Sequence, residues 1–280
     1  MSPPALPRPG PALLLRALLH RPGRGAMPAL QHRLAALDLA HVQCFRAALG
    51  FAGPGLPLSY AYLLAQRAQL AAMLAPGFAH RIAGLVHVSN RLQRQAPLDP
   101  TQPLDLETQV RDEPERADGA RFVTLDVALR QQGQVVLSCH SRYLARRRRA
   151  GERAPTPEPE ATMPERVAWT LPLHAGRHYA ALSGDWNPIH LWGWSARLFG
   201  LRQPIIHGAH SMARARPNWS AWAAGRCRRW RWTSCGPCRW AARWPCMRTR
   251  PRGASNCAWP AGARWPAPGT TEGRTRYRAG

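Results

Sequence analysis

One string in this chain of 280 residues carries the densest chemistry: Tyr179-Ala-Ala-Leu-Ser-Gly-Asp-Trp-Asn-Pro-Ile-His190. It sets a carboxylate, Asp185, and an imidazole, His190, on either side of an Asn187-Pro188 turn, a spacing that lets both converge on one water. Such a pair suits general acid–base work, because imidazole titrates near neutrality and a neighbouring carboxylate tunes it. Asn-Pro initiates turns, so Asn187 and Pro188, with Ser183 and Gly184 before them, are expected to shape the loop and not to react. An isolated Asp-x-Asn-Pro is ordinarily just a turn. Here the complete string is followed by Pro204-Ile-Ile-His-Gly208, which takes it beyond that reading. His207 and His210 could be paired as metal ligands, but two imidazoles without a nearby carboxylate or further ligand fall short of a site, and no metal is expected.

The string from Leu182 to His190, taken with Pro204 to Gly208, resembles the MaoC-like (R)-specific enoyl-CoA hydratases and acyl dehydratases, a hot-dog fold family. The resemblance covers about residues 56 to 215, with the specific motif in the last part of that span. It implies that Asp185 and His190 activate water and that the backbone N–H of Gly208, at the start of a helix, holds the enolate oxygen. Helix N-termini supply free N–H groups and a positive dipole end. Adding water to an α,β-unsaturated thioester needs just these parts: a base for the water, an acid for the α-carbon and a donor for the oxyanion. The implied reaction is hydration of trans-2-enoyl thioesters to (R)-3-hydroxyacyl thioesters, or the reverse dehydration, in fatty-acid metabolism. Its substrate carrier is CoA or acyl carrier protein, no cofactor is called for, and a homodimer is admitted. A catalytically inactive acyl-thioester-binding or scaffold protein is the alternative.

Several elements must hold this loop. Tyr62, Leu63, Leu70, Met73 and Leu74 recur at helical spacing and stop at Pro76-Gly77, which predicts a long helix. Strand signals follow in Leu85 to Val88, then in the alternations Leu104 to Val110, Val123 to Leu129 and Val135 to Cys139, with turns at Asp99-Pro100, Asp118-Gly119 and Gln132-Gly133. One long helix before several antiparallel strands is an α+β order, a helix packed on one face of a sheet. The expected organisation is an N-terminal extension (1–55) with one amphipathic stretch from Ala29 to Leu49, a non-catalytic hot-dog unit (56–145), a Pro- and Arg-rich linker (146–164), an incomplete catalytic hot-dog segment (165–215) that opens with a strand at Val167 to Leu173, and a tail (216–280).

The net charge of +24 would ordinarily raise nucleic acid as a partner. All 39 basic residues are Arg, a bias of composition and not a designed face, so no specific nucleic-acid partner is expected. The run Arg146 to Arg149 reads as part of a solvated linker. No apolar run reaches membrane-spanning length, Pro11 to His20 is too short and broken by Arg16, and a cytoplasmic protein is expected.

From Arg216 onward there is no Leu, Ile, Val or Phe, yet eight of the twelve Trp and five of the seven Cys lie there. A packed strand cannot be expected from that alphabet, so the tail is predicted to be irregular or disordered. Shifting the frame back by one base turns every TGG or TGY codon into Leu, Val or Met. The Trp and Cys positions then fall three apart (Trp219, Trp222) and afterwards two apart (Trp230 and Trp232, Cys238 and Trp240), as a helix and strands require. The tail is therefore read as out of frame. On that reading, Cys235-Gly-Pro-Cys238 is neither a redox dithiol nor part of a zinc cluster, and the Arg/Trp content is not a selected RNA-binding surface.

Overall fold

The computed structural model describes residues 3–51, 55–117, 119–146, 168–172, 174–215, 229–234, 240–241 and 274–278. Most of the expected linker and tail lies outside them. The four principal strands form where apolar residues alternate: β2 (Val86–Arg94), β3 (Leu104–Asp112), β4 (Arg121–Gln131) and β5 (Gln134–Arg146). Leu104, Leu106, Thr108 and Val110 of β3 are buried, as are Val123, Leu125, Val127 and Leu129 of β4, which is one face of each strand turned to the core. The β4–β5 hairpin closes through Gln132 and Gly133, both at positive φ (48° and 77°), the two-residue turn whose twist matches that of the strands.

Against that face lies the predicted long helix, preceded by α1 (Pro11–Leu19) and α2 (Leu39–Leu49) and here called α3 (Leu58–Met73). It is buried from Leu58 to Ala65, and its residues share one core with Leu92, Leu104, Leu106, Val127, Leu129, Leu137 and Cys139. A second cluster around Phe78, Val110, Val123, Leu125 and Tyr143 fills the other end of the sheet. This is the hot-dog-like mixture of helix and open antiparallel sheet that the sequence predicts.

One sequence expectation changes and another is refined. The amphipathic stretch Ala29 to Leu49 is not one element: β1 (Ala29–Leu34) pairs antiparallel with β3, and α2 starts afresh behind Asp38, whose carboxylate accepts from His41 N. A side-chain cap at Asp38 ends the extended run and begins the helix. The irregular tail is interrupted, among its described residues, by three short strands, β7 (Arg229–Ser234), β8 (Trp240–Ala241) and β9 (Arg274–Arg278). β7 pairs with β2, giving the sheet order β1-β3-β4-β5-β2-β7-β8, and β9 pairs with β6 (Ala168–Pro172). The pairing bonds join backbone groups, which Arg, Trp and Thr carry as Leu, Ile and Val do, and Trp and Thr themselves favour strands.

The strand expected at Val167 to Leu173 is β6. It is followed by α4 (Ala175–Ser183), one 3-10 turn (Pro188–His190), α5 (Gly193–Leu198) and α6 (Gly208–Ala215). Tyr179 of α4 with Met212 and Ala213 of α6 joins the core around α3. Among the described residues, no helix is long and apolar enough to cross a membrane.

Candidate active site

Helix α4 ends in a tight reversal. Gly184 caps it with φ 78°, and its N–H donates to Ala180 O at 2.8 Å. Ser183 Oγ donates to Tyr179 O (2.7 Å) and accepts from Asp185 N (3.2 Å), which ties the Asp185 backbone to the last turn of α4. Asp185 Oδ1 then accepts from Asn187 N (3.2 Å), and Asn187 Oδ1 from Ile189 N (3.4 Å), starting the short turn in which Pro188 is first and His190 last. Short polar side chains thus close three consecutive backbone turns between Ser183 and His190.

His190 Nδ1 lies 2.8 Å from Ile205 O. A carbonyl only accepts, so Nδ1 carries the proton and Nε2 of the neutral ring keeps a lone pair. The same argument protonates Nε2 of His207, which donates to Asp185 O at 2.8 Å. The two imidazole rings lie against each other, centroids 3.8 Å apart and planes 32° apart. Asp185, His190 and His207 each offer an atom within 4.8 Å of the others.

Burial pushes the Asp185 carboxyl up, but the His207 and His190 imidazoles, the Gln66 amide and the Asn187 N–H outweigh it and hold the group below the usual carboxylate range. Burial pulls His190 below the ordinary imidazole value, with Asp185 and the bond to Ile205 opposing. His207 is pulled down to about 3, by burial first and the neighbouring His190 second. The centre is therefore an ionised carboxylate beside a neutral imidazole at pH 7, a pairing suited to taking a proton.

Three ligand atoms this close raise the question of a metal ion. Two imidazoles on one tetrahedral ion, with metal–nitrogen bonds of about 2.0 Å, would hold their ring centroids roughly 5 Å apart. At 3.8 Å the rings of His190 and His207 are too close for that. The cluster does not fit such an ion without moving a ring.

Gly208 opens α6, and the first helical bonds are those of His210 N and Ser211 N to His207 O. These bonds leave the Gly208 and Ala209 N–H groups at the positive end of the helix, one residue from the ring that lies on His190. The loop residues Ser183 to Pro188, the pair Asp185 and His190, and the Gly208 helix start are thus brought into one neighbourhood. His210 is buried beside the edge of the Tyr179 ring and contributes no atom to the three-residue cluster.

Three contributors to this centre carry no motif. Gln66 of α3 donates from Nε2 to Asp185 Oδ2 at 2.9 Å, across 119 residues of chain. His41 of α2 bonds Leu182 O through Nε2 and the Tyr60 hydroxyl through Nδ1, both at 2.9 Å. Pro9 packs on Gly184. All belong to the part of the chain in which no site was expected, and no spacing in the sequence points to them.

The MaoC like domain, as a protein family, matches residues 154–236, a span that holds Asp185, His190, His207 and Gly208 and crosses the change of composition at residue 216. 3-Hydroxyacyl-thioester dehydratase X of Mycobacterium tuberculosis is 27% identical over 182 residues, 63% of this chain and 64% of that protein. A stretch of 50 residues is 42% identical to part of fatty acid synthase beta subunit stcK of Emericella nidulans, 18% of this chain and 3% of that one. The chain thus spans less than two thirds of the length of these relatives. Among solved structures, HtdX of Mycobacterium tuberculosis aligns with a TM-score of 0.62 at 21% identity, over 75% of this chain and 83% of that one. The MaoC-like dehydratase of Phytophthora capsici aligns with a TM-score of 0.56 at 19% identity, over 76% and 82%.

Proposed function

Starting from a chain that has the MaoC-like dehydratase family fold, we propose that it adds water to trans-2-enoyl thioesters to give (R)-3-hydroxyacyl thioesters, or runs the reverse dehydration. The observation that carries this reading is the Nδ1–Ile205 bond of His190, which leaves Nε2 unprotonated next to the ionised Asp185. In the forward direction Asp185 and His190 hold a water, and His190 Nε2 takes its proton as the oxygen bonds the β-carbon. The electron pair of the double bond moves onto the thioester carbonyl, whose oxygen accepts from Gly208 N–H. The enolate collapses as the α-carbon takes a proton back from His190, so the water is fully consumed and the catalyst restored.

The partner is the thioester on CoA or on acyl carrier protein, and no cofactor takes part. Residues 165–215 supply the reacting groups, and residues 56–145 the helix and sheet on which they rest. The test is hydration of crotonyl-CoA by the full chain, followed as loss of enoyl-thioester absorbance, with Asp185→Asn and His190→Ala as controls. Turnover lost by about a thousandfold or more in either variant supports the reading. Turnover that survives both sinks it.

One observation favours a catalytically inactive, acyl-thioester-binding protein instead. Among the described residues, α6 packs on α3, and the strand pairs formed within its own half are only β6 with β9 and β7 with the two-residue β8. Saturable binding of a thioester without hydration would decide for this second reading.

A further inference from the structure

Asp185 accepts a hydrogen bond on each oxygen, and the two donors are unlike. Asn187 N belongs to the same loop and reaches Oδ1 at 3.2 Å, whereas Gln66 Nε2 stands on α3 and reaches Oδ2 at 2.9 Å. A donor within the loop moves with the loop, so by itself it leaves the carboxylate free to swing with its own backbone. A donor on a separate, packed element fixes the plane in the frame of the whole domain.

Helix α3 is such an element. It is buried from Leu58 to Ala65, and one turn beyond Gln66 the side chain of Gln69 locks its rotation: Nε2 donates to Ser141 Oγ at 2.8 Å, and Oε1 accepts from the Tyr143 hydroxyl at 3.2 Å. The adjacent Arg67 is turned to the carbonyls of Pro7 (2.9 Å) and Leu6 (3.3 Å) and so is spent on the N-terminal segment. The group that meets Asp185 is thus a neutral amide, not a cation.

We propose that Gln66 is a positioning residue for Asp185, and the inference rests on the hydratase reading given above. Its amide fixes the carboxylate plane and favours the ionised form without adding charge. An Arg at this place would draw the carboxylate into an ion pair and away from the water it holds, and a Glu would force two carboxyl groups to share one proton. With one lone pair of each oxygen spent on a protein donor, each keeps another for water. The helix of the half that lacks the motif therefore completes the centre of the half that has it.

The test uses the full chain with Gln66→Met, which keeps length but removes the donor, and Gln66→Glu, which replaces it with a second carboxyl group. Crotonyl-CoA hydration is followed across pH, and the Asp185 carboxyl is titrated by carbon NMR, assigned with Asp185→Asn. Gln66→Met is expected to lower kcat roughly ten- to a hundredfold with KM within about twofold, since a small misplacement of a reacting group costs rate before binding. Gln66→Glu is expected to move the acid limb of kcat/KM up by at least about one pH unit. In both variants the Asp185 carboxyl should titrate at higher pH. A kcat within about twofold of the parent, with Asp185 titrating as before, overturns the proposal. If the parent chain hydrates nothing, the hydratase reading fails on its own, and the NMR titration still decides whether Gln66 governs Asp185.

Discussion

Pro9 occupies the space that a side chain at Gly184 would need: a Cβ built on Gly184 falls 2.3 Å from Pro9 Cβ and 2.4 Å from Pro9 Cγ. The glycine is thus required twice, for its left-handed φ of 78° and for the close approach of the N-terminal segment.

Gly184→Ala should therefore destabilise the fold by about 2–4 kcal/mol, from left-handed strain plus overpacking. Denaturant unfolding checks the size. The companion change Pro9→Gly opens the space and should return part of the loss, whereas an unaltered loss would show that only backbone strain is at work. Deleting residues 1–10 should loosen the same turn and lower kcat while α3 and the sheet stay folded by circular dichroism.

Stability should fall on acidification well before the carboxylates titrate. His87, His207 and His210 are each held at about 3, with burial the leading cause in every case. In the unfolded chain these rings take a proton near 6.5, so between that pH and about 3 the unfolded state binds more protons than the folded one. Stability contributed by the neutral rings is complete above about pH 6.5 and is lost as pH falls toward 3, at up to roughly 1.4 kcal/mol per pH unit for each ring. Urea midpoints at pH 7 and pH 5 measure it. Equal midpoints would mean the rings take up protons in the folded state.

Gln69→Leu should cost about 2–3 kcal/mol, although it replaces a polar group with an apolar one in a core. Gln69 accepts from the buried Tyr143 hydroxyl and donates to Ser141 Oγ, which Asn90 also reaches at 2.7 Å, so the substitution takes the accepting oxygen from Tyr143 while Ser141 keeps Asn90. Thermal unfolding of Gln69→Leu beside Gln69→Leu/Tyr143→Phe tests this. The double variant should be the more stable of the two, because it removes the hydroxyl whose acceptor Gln69→Leu takes away.

Resequencing the gene across residues 213–218 tests the out-of-frame reading of the tail. A neighbouring frame that encodes a helix-periodic and then strand-periodic apolar pattern is the expected result, and a frame without such periodicity removes the idea. Trp230 and Trp232 lie on β7 and Trp240 on β8, so some strand spacing is already present in the frame as written.

Much of this architecture is legible in the sequence because it is written in local periods. Val123 to Leu129 alternate, Tyr62 to Leu74 recur every third or fourth residue, and Gln132-Gly133 names its own turn. The site loop is legible for the same reason, since Ser183 to His190 closes on itself through bonds spanning two to four residues. What escapes is carried by distance along the chain. Gln66 sits among Ala and Leu and reads as the wet side of a helix until topology sets it against Asp185. His41 and Pro9 meet the loop only because β1 joins the far edge of the sheet and brings the N-terminal segment with it. β7 is marked in the sequence only by the two-residue spacing of Trp230 and Trp232, and its register with β2 is a property of the backbone that no spacing gives.

That register bears on how copies of the chain would behave toward one another. Residues Ser89 to Gln93 of β2 are flanked by β5 on one side and by β7 on the other. Without β7 the outward amide and carbonyl groups of β2 would stand open, a template for any extended strand that came by. The tail segment, whatever its origin in the gene, acts as a stopper on that edge. A chain cut before Arg229 should self-associate edge to edge, and a tail that loosened from β2 would seed the same fibre-like growth.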